Sequence, residues 1–431
     1  MSDPTPPNQL SRRSFLGGAG ALGAASLAGC AGPGAPQPAP SGWQRPPGGG
    51  TRMFEYFDGN YPWNLSAVTL IEEVGSISQP AEALAAVASL ASGPRDEANR
   101  AWHDAMATLG ARLEAQAEAD LAAGHPLTAA RKFHRAAMYF LRADRMTPHE
   151  DPRQRVVYER ALANYRKARD HGRDEVEFVD IPFEGGSLPA LLVRASSDGP
   201  AAPIVIHLQG FDSVKEAQFP MLREYRRRGL SCLIVDQPGA GGALRLHGLT
   251  ARVETEVYVR AIIDWLQARA DIATDRIGLA GLSMGGYFAP RAAAFEPRVK
   301  ACAAWGAFFD AGRLTAPLAA GGDVAAPSVP DVVRHAMWVF GVAAPAEFFA
   351  IAQKMTLAGV VERIACPLLV VHGENDRQVP REQADLTYER ATTRDKTLKI
   401  FTQDEGGAEH CQIDNRAIAA DYLADWFSEK L

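Results

Sequence analysis

The spacing of apolar residues divides most of the chain into two regions with different periodicity. Between residues 52 and 174, apolar side chains such as Phe133, Ala137 and Phe140 recur three and four positions apart, a pattern that predicts amphipathic helices. Glycine and proline end helices, so we expect breaks within this helical region. The expected breaks are at Gly93-Pro94, Gly124-His125-Pro126 and Thr147-Pro148.

From residue 175 to residue 431 the pattern changes to short apolar runs that alternate with helical stretches. The first two runs flank Glu184–Ser187, a hairpin signal, and the later runs are separated by helices, which predicts a mostly parallel, doubly wound α/β sheet covered on both faces. Sheets of this type place ligands at the carboxyl ends of their strands. The predicted strands are Val176–Phe183, Leu188–Ala195, Pro203–Leu208, Leu230–Asp236, Arg276–Leu282, Val299–Trp305, Pro367–His372 and Thr397–Thr402.

One segment, at about residues 310–362, interrupts that alternation. It mixes helical stretches with loops rich in Gly and Pro and carries several aromatic residues, among them Trp338 and Phe340. An insertion between two strands, at their carboxyl ends, is well placed to form a lid over a site. We therefore expect a lid here and treat Trp338 and Phe340 as candidate substrate contacts.

The first 51 residues are expected to lie outside the fold. Arg12-Arg13 precedes a weakly apolar stretch, which is typical of a twin-arginine signal peptide over residues 1–29. The stretch ends in Leu27–Cys30, which resembles a bacterial lipobox with Cys30 as the lipidated residue. Residues 30–51 are rich in Pro and Gly and predict a tether. The sequence thus predicts export to the periplasm or cell envelope, with contact to a membrane only through the lipid.

Composition and charge exclude several classes of protein. The chain has 431 residues, 47% of them hydrophobic, and a net charge of −6, so it can build a large core and lacks the basic character of a nucleic-acid binder. It has no run of eighteen strongly apolar residues that would span a membrane. We expect neither a metal nor a cofactor, because no metal-ligand spacing, phosphate loop or dinucleotide fingerprint is present. A disulfide between Cys366 and Cys411 stays open at this point.

The segment Gly281–Gly286 carries the strongest chemical signal. It contains a Gly-x-Ser-x-Gly pattern that follows a predicted strand and begins a helix, the context of a nucleophile elbow. The glycines let the backbone turn tightly, so that the hydroxyl of Ser283 stands clear at the end of the strand. Ser283 is the predicted nucleophile.

A serine nucleophile needs a base, and the base needs an orienting acid. In this type of fold the acid follows a late strand and the histidine follows the last one. Asp376 is the preferred acid, with Glu374 as the alternative two residues earlier, and His410 is the histidine in the required position. His372 lies on the late strand itself and is predicted to be structural.

An oxyanion hole requires two N–H groups aimed at the developing negative charge. The N–H of Met284, directly after the nucleophile, is the first candidate. The second should come from the loop after the strand that ends at Leu208, where Phe211 is preferred and Gly210 is the close alternative.

These motifs resemble the α/β-hydrolase superfamily, and within it the branch of 2,6-dihydroxypseudooxynicotine hydrolase and fungal polyketide-shortening hydrolases. The resemblance implies cleavage of esters or of carbon–carbon bonds next to ketones, with Ser283, Asp376 and His410 as the triad and the N-terminal helices as part of a cap. Some of these relatives have an extra acidic residue after a Trp-Gly pair, and Asp310 lies in that neighbourhood. The segments that carry the resemblance are Gly210–Ser213 with Lys215-Glu216, Asp236–Gly239, Gly281–Gly286, Trp305-Gly306, His372-Gly373 and Gly406–Gln412.

The sequence therefore predicts a serine hydrolase acting on a small, apolar or aromatic carbonyl substrate. An aminoacyl-peptidase-like amide hydrolase is the alternative within enzymes. A lipoprotein that binds ligands on a hydrolase scaffold without catalysis is the alternative from another class.

Overall fold

The computed structural model of the protein describes residues 53–196, 201–323 and 326–431. The predicted signal peptide, the lipidation site Cys30 and the tether up to residue 51 lie outside the described residues. The described residues form one unit by their contacts.

Five α-helices occupy the predicted helical region. The three expected breaks all lie at junctions between helices, whereas the break between the first two helices, at residues 75–77, was not predicted. Helix α4 is the interior helix of this group: Phe133, Met138, Tyr139 and Phe140 are all fully buried, although they lie on different sides of the helix. The helices directly before and after it in the chain, and the first helix of the region, pack around it. The five are α1 (Tyr61–Val74), α2 (Ser78–Val87), α3 (Arg95–Ala122), α4 (Pro126–Met146) and α5 (Pro152–Gly172).

An eight-stranded sheet follows in the order β1-β2-β4-β3-β5-β6-β7-β8. The pairs β1–β2 and β2–β4 are antiparallel and the remaining pairs are parallel, which confirms the predicted α/β class. The β1–β2 turn has a positive φ at both Glu184 and Gly185, the geometry of a tight two-residue hairpin. The strands are β1 (Glu177–Phe183), β2 (Gly186–Val193), β3 (Ala202–Leu208), β4 (Ser231–Val235), β5 (Ile272–Leu282), β6 (Val299–Trp305), β7 (Leu368–Gly373) and β8 (Lys396–Phe401).

Helices connect the strands, and three of them form the insertion between β6 and β7. The connecting and C-terminal helices are α6 (Phe219–Arg227), α7 (Gly241–His247), α8 (Glu256–Gln267), α9 (Gly285–Phe295), α13 (Glu382–Arg390) and α14 (Arg416–Lys430). The helices of this insertion, which is the predicted lid, are α10 (Ala311–Ala319), α11 (Val332–Phe340) and α12 (Pro345–Ala352). Short 3-10 turns lie at Ala88–Leu90, Lys215–Gln218, Val361–Arg363 and His410–Gln412.

The sheet separates two hydrophobic cores. Because neighbouring residues of a strand face opposite sides, Val205 of β3 belongs to one core while Ile204 and Ile206 belong to the other. The core on the Val205 side includes Trp102 and Phe140 of the helical region. The N-terminal helices thus share a core with one face of the sheet, and the lid packs on the other core.

Among the described residues, no single helix has both the length and the apolar character needed to cross a membrane. Helices α11 and α12, which meet at a bend of 74°, satisfy that criterion only as a pair.

Candidate active site

Ser283 lies on a tight turn between β5 and α9. Its φ is +56°, a left-handed conformation that side-chain-bearing residues rarely adopt, and its N–H donates to the Trp305 carbonyl at 2.7 Å. A Cβ atom on Gly281 would lie 2.0 Å from the carbonyl oxygen of Gly285, so the turn closes only because glycine stands at that position. The turn exposes the Ser283 side chain at the carboxyl end of the sheet.

Ser283, His410 and Asp376 are joined by hydrogen bonds. The Nε2 atom of His410 lies 2.8 Å from the Ser283 hydroxyl, and its Nδ1 atom lies 2.7 Å from Oδ2 of Asp376. The other carboxylate oxygen of Asp376 accepts the N–H groups of Gln378 and Val379 at 2.9 and 2.8 Å. The alternative acid Glu374 instead accepts the N–H of Gln403 and does not reach His410.

Burial and the Asp376 carboxylate act in opposite directions on the His410 imidazole. Burial lowers the pKa of His410, but the hydrogen-bonded Asp376 carboxylate beside it outweighs burial and raises the pKa well above 6.5. Burial likewise raises the pKa of Asp376, while its attraction to His410 and the backbone donor of Val379 lower it to a net value below the usual range. The ion pair between a protonated His410 and an ionised Asp376 is therefore favoured.

The loop that carries His410 is held by contacts that the sequence did not single out. The Asp414 carboxylate accepts the N–H groups of Gly407, Ala408 and Glu409 at distances of 2.9 to 3.1 Å. A Cβ atom on Gly373 would lie 2.2 Å from the Ala408 carbonyl oxygen, so β7 and the loop touch through backbone. These contacts fix where the loop delivers His410.

A second close approach lies directly under His410. Gly306, which follows β6, has a φ of +73°, and a Cβ atom there would lie 2.5 Å from the Cys411 sulfur. The Cys411 sulfur lies 3.4 Å from Nε2 of His410 and within reach of the Trp305 carbonyl at 3.7 Å. Because Gly306 has no side chain, Cys411, the residue next to His410, can pack against it.

The candidate oxyanion donors differ in their hydrogen bonding. The N–H of Gly210 donates to the Ser213 hydroxyl at 2.7 Å, whereas no acceptor within the described part of the chain takes the N–H of Phe211 or of Met284. A Cβ atom on Gly210 would lie 3.0 Å from the Cβ of Ser283, which shows how closely this loop approaches the serine. The N–H groups of Phe211 and Met284 are therefore available to bind an oxyanion, whereas the N–H of Gly210 is already hydrogen-bonded.

A cavity of about 130 Å³ opens at Ser283. Its wall is mostly apolar and is built by the loop after β3 (residues 209–213, called the oxyanion loop below), the start of α9 and the lid. Gln378 is among its few polar members. Of the predicted lid residues, Phe340 lines this cavity. The other aromatic and sulfur-containing members are Phe211, Met284, Phe308, Phe348 and Met355.

Trp338 and Asp310 lie elsewhere. The Trp338 ring stacks on His149 of the helical region, with centroids 5.1 Å apart. The Asp310 carboxylate accepts the N–H of Arg313 at 2.9 Å and so caps the start of α10. Neither residue belongs to the cavity wall at Ser283.

The cysteines of the described residues are free thiols. Cys232 and Cys302 are buried in strands, and Cys366 and Cys411 form no disulfide. Within the described ranges, no group of three or more His, Cys, Asp or Glu side chains is arranged to hold a metal ion.

Comparison with known proteins agrees with this fold. Residues 204–417 match the model of the alpha/beta hydrolase family. The hydrolase ORFZ of Pyricularia oryzae is 33% identical over an alignment of 329 positions, which covers 67% of this chain and 76% of that protein. The chain belongs to the alpha/beta hydrolase family. This alpha/beta hydrolase is also 28% identical to the 2,6-dihydropseudooxynicotine hydrolase of Paenarthrobacter nicotinovorans, over 77% of this chain and 87% of that enzyme.

Structural similarity extends beyond the sheet. The crystal structure of a 2,6-dihydroxy-pseudo-oxynicotine hydrolase matches the present structure with a TM-score of 0.68 at 27% sequence identity. The match covers 84% of this chain and 95% of that one. The match includes part of the N-terminal helical region as well as the sheet, since 84% of the chain exceeds the sheet region alone. Other curated relatives, which are also named alpha/beta hydrolases, match this chain over about half of their own length.

Proposed function

We propose that the protein is a serine hydrolase that cleaves a carboxylic ester or a carbon–carbon bond next to a ketone through an acyl-enzyme. The observation that supports this most strongly is the continuous hydrogen-bonded series from the Ser283 hydroxyl through His410 to the buried Asp376. Nucleophile, base and orienting acid are then within reach of one another without rearrangement.

Each step of the proposed reaction uses a group of the site. Ser283 Oγ attacks the substrate carbonyl while His410 Nε2 takes the hydroxyl proton, and Asp376 stabilises the imidazolium that results. The N–H groups of Met284 and Phe211 hold the negative oxygen. His410 then protonates the leaving group, and a water molecule, deprotonated by His410, hydrolyses the acyl-enzyme. For a carbon–carbon bond, the leaving carbanion must be stabilised as an enolate, which requires a β-diketone or an acylated phenol.

The cavity supports a small apolar acyl or aryl group. A volume of about 130 Å³ has room for a short alkyl group or a single aromatic ring. Its aromatic and aliphatic wall favours groups that gain from leaving water.

Covalent labelling tests the nucleophile. We expect a fluorophosphonate to label Ser283, and Ser283→Ala to abolish labelling and lower kcat by about 10⁴-fold or more. Ser187→Ala is the matched control, because Ser187 also bonds a histidine, His247, at 3.0 Å but lies on an exposed hairpin. An unlabelled wild-type protein, or full turnover by Ser283→Ala, would refute the mechanism.

A panel of substrates on the same preparation tests the substrate class. The panel contains p-nitrophenyl esters of increasing acyl length, aminoacyl amides and acylphloroglucinol-type diketones. We expect kcat/KM to be highest for short or benzoyl esters or for the diketones. A preference for aminoacyl amides would contradict the proposal and favour an amide hydrolase.

We also propose that the protein is exported by the twin-arginine route and anchored by a lipid on Cys30, as the N-terminal sequence indicates. Replacing Arg12 and Arg13 by Lys should retain the protein in the cytoplasm. Cys30→Ala should release it from the membrane fraction without loss of hydrolase activity, as measured by fractionation. Unchanged membrane association in Cys30→Ala would rule out the lipid anchor.

A further inference from the structure

Beyond the triad, one buried ion pair joins the helical region to the oxyanion loop. We infer that Arg145, from helix α4, is a positioning residue that holds the N–H of Phe211 in the direction an oxyanion requires. The inference rests on the proposed function, because it concerns the oxyanion hole of that reaction. It assigns a role in catalysis to an element outside the sheet.

Arg145 contacts both the oxyanion loop and the lid. Its guanidinium forms an ion pair with Asp212, the residue after Phe211, at 2.5 Å, and the two side chains are only 11% and 14% exposed. It also donates to the Ser328 carbonyl at 2.9 Å, and Ser328 lines the cavity at Ser283. One side chain therefore ties the two walls of the site to α4.

The lid holds the same loop at the neighbouring peptide. Nε2 of His335, on α11, lies 3.3 Å from the Phe211 carbonyl oxygen, and the two rings meet edge to face with centroids 4.7 Å apart. Burial lowers the pKa of His335 to about 4, so the ring is neutral at neutral pH. With a carbonyl as its partner, the nitrogen that faces Phe211 is the one that carries the proton.

The chain on the other side of Phe211 is also fixed. The Gly210 N–H donates to Ser213 at 2.7 Å, and the Gln237 side chain donates to and accepts from the backbone of Gln209 at 3.0 and 2.9 Å. The peptide that contains the Phe211 N–H thus lies between two anchored points. Because Gly210 has no side chain to restrict it, the direction of that N–H depends on these anchors.

Loss of the ion pair between Arg145 and Asp212 would change the direction of the Phe211 N–H, because it would leave one charge buried without a partner. A buried charge without a partner turns towards water or another partner, and moves the backbone that carries it. Asp212 follows Phe211 directly, so its displacement would rotate the neighbouring peptide. A displacement of about 1 Å is enough to lose on the order of 100-fold in rate.

The same helix provides a matched control. Arg142, three residues before Arg145, is also buried and pairs with Glu73 of α1; these two side chains are 5% and 2% exposed. Its ion pair joins two helices of the helical region and includes no residue of the oxyanion loop or the lid. Loss of Arg142 should therefore lower stability, as loss of Arg145 does, without affecting the oxyanion hole.

The rate of fluorophosphonate labelling measures the oxyanion hole directly, since the phosphoryl oxygen occupies it and no substrate need be known. We expect Arg145→Met to slow the labelling of Ser283 by about 10- to 100-fold, and to lower kcat on the best ester of the panel with KM changed less than threefold. Asp212→Asn, which keeps the size of the side chain, should slow labelling in the same direction. Arg142→Met should retain the wild-type labelling rate although its midpoint of thermal unfolding falls.

Each outcome decides between the proposals. If the wild-type protein is not labelled, the proposed function fails and the role of Arg145 fails with it. If the wild type is labelled and a folded Arg145→Met is labelled equally fast, only the role of Arg145 is refuted. That role is also refuted if Arg142→Met slows labelling as much as Arg145→Met does. If Arg145→Met does not fold, Asp212→Asn alone decides: wild-type labelling by a folded Asp212→Asn overturns the inference.

Discussion

The Asp376 carboxylate makes two kinds of contact from one buried position. One oxygen accepts the Nδ1–H of His410, and the other accepts two backbone N–H groups of its own loop. The attraction to His410 and the backbone bonds keep the carboxylate ionised, and the backbone bonds also hold it in place. It therefore keeps the imidazole in the tautomer that presents Nε2 to Ser283. Geometry and electrostatics therefore act through the same residue.

The raised pKa of His410 predicts the pH dependence of the reaction. In the proposed reaction His410 acts as a base only when it is neutral, so kcat/KM should rise with pH along a limb whose midpoint lies above 6.5. Asp376→Asn should lower kcat by about 10³- to 10⁴-fold and move that midpoint downward, because the imidazolium loses its carboxylate. Stopped-flow assays from pH 5 to pH 9 would measure both effects.

Glu374→Gln is the control for that experiment, since Glu374 was the other acid compatible with the sequence. It should leave the rate and the midpoint unchanged, because its carboxylate bonds the Gln403 backbone. A large loss in Glu374→Gln with little loss in Asp376→Asn would reverse the assignment of the acid.

Single residues differ in how far the sequence could assign them. Ser283 was predictable because a strand, a glycine-rich turn and a helix are consecutive in the chain. The choice between Phe211 and Gly210 was not, because it depends on which N–H the Ser213 hydroxyl takes. Arg145 carried no sequence signal, since its partner Asp212 is distant in the chain.

Among the elements, the loop after β8 packs closely against the ends of β6 and β7. It brings His410 to Ser283 across the end of β6, where Gly306 lies against the Cys411 sulfur. Cys411 and Gln412 both have a positive φ, so the loop is held in an uncommon conformation by its surroundings.

Gly306→Ala tests whether the close contact between Gly306 and Cys411 has an effect beyond the strain of placing a side chain at a positive φ. Gly359→Ala is the control, because Gly359 has nearly the same φ, +75° against +73°, but no atom within 4 Å of the added Cβ. We expect Gly359→Ala to lower the free energy of unfolding by about 1 kcal/mol and to leave kcat within twofold. Gly306→Ala should lower it by at least about 2 kcal/mol and reduce kcat at least tenfold, since His410 is displaced.

Urea unfolding and kinetics on the two variants provide the comparison. Replacing Cys411 by Ala in the Gly306→Ala background removes the colliding sulfur and should recover part of both losses. Equal behaviour of the two glycine variants would show that the contact with Cys411 has no effect on the position of His410.

The lid shows why an element can be predicted when its contacts are not. The break in the strand–helix alternation located the insertion, and α10, α11 and α12 occupy it. Trp338 and Phe340 are two residues apart on α11, which places them about 200° apart around the helix. Only the packed structure decides that Phe340 faces the cavity and Trp338 faces His149.

In the whole molecule, the N-terminal helices and the sheet depend on one another. Trp102 and Phe140 share a core with strand residues, and the ion pair between Asp144 and Arg245 crosses between the two regions at 2.8 Å with both side chains buried. Separating the regions would expose this core and leave both charges without partners.

A chain limited to residues 175–431 should therefore neither unfold cooperatively nor react with a fluorophosphonate. The matched control is residues 53–431, which lacks only the N-terminal segment outside the described structure and should be labelled at the full rate. Calorimetry and labelling on both chains provide the measurement. Cooperative unfolding and labelling of residues 175–431 would contradict the shared core.

The sequence by itself determined what depends on neighbours along the chain: the helical and strand periodicities, the hairpin, the elbow at Ser283 and the order of serine, acid and histidine. The periodicities, the hairpin and the elbow follow from backbone preferences of consecutive residues, and the order of serine, acid and histidine follows from the strands after which they lie. The tertiary structure alone decided which N–H groups remain available, which aromatic rings line the cavity and how Asp414, Gly306 and Arg145 hold the loops around the serine. Those outcomes depend on contacts between residues far apart in the chain, which form only when the helices, sheet and lid pack together.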